Sequence, residues 1–144
     1  MKRVFRLILA VVVGVVVGSV ANMALITLGG HVIPPPAGVD TTTTEGLKAA
    51  MPLFEPRHFL FPFLAHAVGT LVGALVATLI TPGRTRGPAW VVGACFLLGG
   101  IAAVALLPSP VWFTAADLVL AYLPMAWLGH RLVAGKPTAV STPT

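Results

Sequence analysis

Four long apolar runs dominate the chain: Phe5 to Leu28, roughly Phe59 to Ile80, Ala89 to Leu107, and Val111 to Val133. A hydrocarbon core of about 30 Å needs about 20 helical residues, and every run is near that length. Gly and Ala are scattered through the runs without strict alternation, which favours helices over barrel strands. Turn signals fall between them. Pro34-Pro-Pro36 opens a long first loop that no helix accepts. Thr81 to Pro88 makes a tight second loop, and Pro108-Ser-Pro110 a third that is short enough to force an antiparallel hairpin. The pattern predicts an all-α membrane fold, an antiparallel bundle of four transmembrane helices. Its spans are 5–28, 59–80, 89–107 and 111–133, with a first loop over 29–58. The bundle fills residues 1–133, and residues 134–144 read as a small, polar, disordered tail.

Composition removes the soluble alternatives. Apolar residues make up 57% of the 144, charged residues 9%, and mean hydropathy is +0.96. An average soluble domain is about 25% charged, so this chain lacks the polar surface of a water-facing globule. The net charge of +5 does not point to nucleic acid, because the basic residues sit in small groups beside the apolar runs. Lys2, Arg3, Arg6, Arg84, Arg86, Arg131 and Lys136 lie on one side of the predicted topology, against Lys48 and Arg57 on the other. Seven against two puts both termini in the cytoplasm and the first loop outside. Lys2-Arg3 and Ser19-Val-Ala21 frame a signal-peptide-like segment, but the apolar run continues to Leu28. That is too long for an ordinary cleavable segment, so a retained first helix is expected. Cys95 is the single cysteine, which excludes an intrachain disulfide and a CxxC redox pair.

Small residues recur every fourth position: Gly14, Gly18 and Asn22 in span one, Gly69, Gly73 and Ala77 in span two. Such a stripe lets two backbones approach closely in lipid, either within one bundle or across a homodimer seam. Polar residues inside the spans are the candidate chemistry. Asp117 needs a partner at membrane depth. His66, and Asn22 in span one, fall within about 5 Å of its depth at 1.5 Å per residue, and Thr70 lies one turn from His66. These four are the predicted intramembrane polar cluster. It reads as structural glue between helices, or as a proton or ion relay, or as a ligand contact, since a His beside a carboxylate can titrate near neutrality. Pro62 and Pro124 are expected to kink spans two and four.

At the outer interface, Glu55 precedes Pro56 and is expected to cap span two, with Arg57 and His58 at the water boundary. Phe54, Phe59, Phe61, Phe63, Trp112 and Phe113 make an aromatic collar there. Thr44 is expected to cap a short helix through about residue 51. His31, Glu45, Glu55 and His58 have no metal-ligand spacing, so no metal or other cofactor is expected. His130 reads as an interfacial anchor. No nucleophile elbow or paired intramembrane aspartates suggest an enzyme.

Ile33-Pro-Pro-Pro-Ala-Gly-Val-Asp40, Phe54-Glu-Pro-Arg-His58 and Pro62-Phe-Leu-Ala-His66-Ala-Val-Gly-Thr-Leu-Val-Gly73, with Pro110-Val-Trp-Phe113 and Asp117, carry a resemblance across nearly the whole chain. The chain resembles a group of small bacterial four-helix inner-membrane proteins without an assigned activity. That resemblance implies a topology and a bacterial setting, but no role. Small multidrug-resistance transporters are similar in size, but their first helix carries an embedded glutamate where this chain has Asn22. Two functions are therefore expected. One is a non-catalytic accessory or structural subunit of a membrane assembly. The other is a small oligomeric transporter or channel-like protein using His66 and Asp117. The partners expected are the bilayer and either a second copy or another membrane protein.

Overall fold

The computed structural model describes residues 2–135, which are mainly helical, with no strand among them. The tail assigned to 134–144 lies almost wholly outside the described residues. Helix α1 runs Lys2–Val32, α2 Thr44–Ala50, α3 Leu60–Ile80, α4 Gly87–Leu106, α5 Val111–Leu120 and α6 Leu123–Ala134. Four segments are long and apolar enough to cross a membrane: Lys2–Val32, Pro56–Ile80, Gly87–Leu106 and Val111–Ala134. The chain is therefore read as a multi-pass membrane protein.

The boundaries differ from expectation where local chemistry is strongest. Helix α1 continues past Leu28 to Val32, so His31 lies in its last turn rather than in the loop. Gly29 and Gly30 do not stop it; the three prolines from Pro34 do, by disfavouring helical backbone before them. The cap of α2 is Thr43, not Thr44: its Oγ1 accepts from Gly46 N–H at 3.0 Å. Just before it, Asp40 accepts from the Thr42 hydroxyl at 2.6 Å and the Thr42 N–H at 2.8 Å. Those bonds, the hydroxyl's first, hold the Asp40 carboxyl below the usual carboxylate range.

Helix α3 is the hub. Its buried residues are all Ala, Gly or Thr, and α1, α4 and α6 pack around it. Gly14 of α1 meets Gly73, where a Cβ on either would lie 2.7 Å from the other's carbonyl oxygen. Gly18 meets Gly69 in the same way, and Gly29 meets Phe61. On another face of α3, Gly129 of α6 sits against the Leu71 carbonyl and 3.2 Å from Ala74 Cβ by the same measure. Apolar side chains then face outward: Ile8, Val12, Val16 and Val20 of α1 are all exposed, as lipid contact requires.

The two proline expectations come out differently. Pro62 occupies the first turn of α3, where backbone N–H groups lack intrahelical acceptors anyway, and the helix continues through it without a break. Pro124 marks a true break. The fourth span, predicted as one helix, is two: α5 ends at Leu120, Tyr122 has φ −116° and ψ −82°, and α6 begins at Leu123. At one end of the molecule Arg84 donates to the Val133 carbonyl at 2.6 Å. The opposite end, the loop end, carries the 33–59 loop and the 107–110 turn.

Candidate intramembrane polar site

His66 lies six residues into α3 and Asp117 six residues into α5. Both helices start at the loop end, so each residue is about 9 Å along its helix. Equal depth lets the pair meet. His66 Nδ1 lies 2.8 Å from Asp117 Oδ1 and 3.0 Å from Oδ2. A carboxylate only accepts, so with Asp117 ionised the proton between them sits on Nδ1. Asp117 is 2% exposed, and a third residue completes its surroundings. The Tyr122 hydroxyl donates to Oδ2 at 2.8 Å, and the Tyr122 ring stacks on His66 with centroids 5.7 Å apart.

Tyr122 was not expected, and the reason is geometric. In a continuous helix a residue five positions after Asp117 points about 140° away from it. The break between α5 and α6 turns Tyr122 back toward the carboxylate. Pro124 was the available signal, since a proline in the first turn of a new helix implies an end just before it. Gly100 of α4 makes the room: a Cβ there would collide with the Tyr122 hydroxyl.

Asn22 and Thr70 do not join the hydrogen-bonded cluster. Asn22 packs against Gly69 and shares a crevice with His66 and Tyr122, but its amide has no hydrogen-bond partner among the described residues. Thr70 is buried and donates to the His66 backbone carbonyl at 2.8 Å, a bond within α3. Gly14, Gly18, Gly69 and Gly73 are all taken up by α1–α3 packing, which leaves no free glycine face there for a second copy.

The free side of the imidazole gives the site its chemical potential. Among the described residues, every buried side-chain nitrogen or oxygen has a partner. His66 Nε2 has none, so it is an accessible atom, consistent with a side chain 24% exposed. His66 lines two spaces. One is a cavity of about 350 Å³ at the loop end. The other is a crevice of about 390 Å³ between α1 and α4, which also holds Ser19, Asn22 and Cys95. A histidine fixed by a carboxylate at Nδ1 keeps Nε2 as its free ring nitrogen, and the residue borders both spaces.

At the loop end, Glu55 stands at the start of a 3₁₀ turn over Pro56–Phe59. Its carboxylate pairs with Arg57 at 3.0 Å, both ends more than half exposed, which contributes little. His58 does the tying: its Nδ1 accepts from the Glu55 N–H at 2.9 Å and its ring stacks on Phe54. Phe59 is buried with Trp112 at 5.6 Å and Phe113 at 4.8 Å. Phe61 instead packs on Gly29, and Phe63 lies beside Ala67, Ala121 and Tyr122. His130 is half-buried, with Nδ1 3.5 Å from the Thr78 hydroxyl. No group of three or more His, Cys, Asp or Glu among the described residues comes close enough to hold a metal ion. Comparison with protein-family models, curated proteins and solved structures finds no match to this chain.

Proposed function

We propose that the chain is a non-catalytic, multi-pass protein of a bacterial inner membrane, handling protons through His66 and Asp117 as a small transporter or channel-like protein. The observation that carries this reading is the accessible Nε2 of a histidine whose other nitrogen is held by a buried carboxylate. A purely structural tie needs only the held nitrogen. We also propose an antiparallel four-helix arrangement with both termini cytoplasmic. The seven-to-two split of Lys and Arg supports that orientation. So does the contact between the basic Arg84 turn and the end of α6.

A second reading, an accessory or structural subunit, is favoured by one observation: Asp117 is fully answered by His66 and Tyr122 within the chain. Proton flux into proteoliposomes with an internal pH dye separates the two. The transport reading expects a pH-driven flux that Asp117→Asn reduces about tenfold or more, with thermal unfolding in detergent showing that the fold survives. No flux in the wild type, or an unchanged flux in the variant, sinks that reading. A second polypeptide in fixed ratio, seen by native mass spectrometry after mild extraction, would establish the subunit in its place.

A further inference from the structure

The cavity at the loop end is built for an aromatic guest. Its volume of about 350 Å³ falls in the range of small-molecule sites. Four of the chain's seven phenylalanines line it: Phe54, Phe59, Phe61 and Phe113. His58 lies in its wall at the level of the 3₁₀ turn, and His66 lies eight residues further along, about 12 Å deeper. The walls are otherwise mainly aliphatic, with little polar surface to recognise a charged or sugar-like molecule. Offset and edge-on ring contacts favour an aromatic body over an alkyl chain of equal size. His66 borders the deep end, with Nδ1 bonded to Asp117 and Nε2 left without a partner among the described residues. In the neutral imidazole Nε2 accepts a hydrogen bond.

We propose that this cavity binds a small phenolic molecule, a hydroxylated aromatic ring whose O–H donates to His66 Nε2 while the ring packs among the phenylalanines. This rests on one element of the reading above, the availability of Nε2, and requires no flux.

The test uses the full chain in phosphatidylcholine nanodiscs, with 4-fluorophenol and 4-fluoroanisole as probes followed by fluorine NMR. Empty nanodiscs correct for partition into lipid. Fluorophenol is expected to bind saturably, and fluoroanisole, lacking the donor, about tenfold more weakly. Gly30 lines the cavity, and a Cβ added there meets open space, so Gly30→Leu is expected to fold and to weaken fluorophenol binding at least tenfold. Ala103→Phe fills the same space from α4 and serves if the first variant does not fold. Equal affinity for the two probes, uptake no greater than in empty discs, or undiminished binding to the filled variants overturns the proposal. Saturable binding without proton flux sinks the transport reading alone, whereas flux without binding sinks this one alone.

Discussion

The seam between α1 and α3 and the corner between α5 and α6 join helices by opposite means. At the seam nothing polar is exchanged. Gly14 with Gly73, and Gly18 with Gly69, bring two backbones together so that dispersion acts over a long, close contact. At the corner the backbone is interrupted, and a carboxylate, an imidazole and a phenol hold the pieces. The seam tolerates no added volume. The corner tolerates no added volume at Gly100 either, because the Tyr122 hydroxyl fills the space a side chain there would need. Lipid supplies no hydrophobic drive between helices, so a membrane bundle has these two resources, and this chain spends them in different places.

The contrast can be broken most forcefully at the seam. Gly73→Leu puts a branched side chain against the Gly14 carbonyl and Val92. It should cost about 3 kcal/mol, read by steric trapping or denaturant unfolding in bicelles. A cost below about 1 kcal/mol would mean that α1 is only loosely held. At the corner, Tyr122→Phe keeps the ring and removes one donor to Asp117. The expected loss is about 1 kcal/mol, because hydrogen bonds between membrane helices are modest. A loss matching that of Gly73→Leu would make the corner, not the seam, the principal fastening. The smallest effect separates glycine content from close approach. Gly99 has open space where its neighbour Gly100 has Tyr122. Gly99→Ala should therefore stay within about 0.5 kcal/mol of wild type, while Gly100→Ala displaces the tyrosine and costs measurably more.

The four spans and the depth match of His66 with Asp117 were legible because both depend on counting along regular helices. Hydropathy finds a run, and 1.5 Å per residue finds a depth. What escaped depends on departures from regularity. Tyr122 was hidden because helical periodicity turns it away from Asp117, and the departure that brings it back lies in two residues before Pro124. Asn22 was placed in the cluster by depth alone. Depth does not fix azimuth, and its Cβ turns out to serve the contact with Gly69. The cap at Thr43 against Thr44 is a one-residue ambiguity in a run of four threonines, where each hydroxyl is an equally good acceptor on paper. The loop-end cavity needs the α1 terminus, the first loop, α3, α4 and α5 together, so no single stretch of sequence announces it.

The separation between His66 and Asp117 also bears on how the chain is made. Synthesis delivers the N-terminal helices first, and His66 precedes Asp117 by 51 residues. A lone aspartate at the centre of an inserting helix is resisted by about 2.5–3.5 kcal/mol, and Asp117, nearer the end of its span, meets a smaller resistance of the same kind. Insertion in chain order would place the imidazole in the bilayer before the acidic segment arrives, with Tyr122 following within five residues. The order of the helices thus offers the one span with an embedded carboxylate a partner that precedes it in the chain.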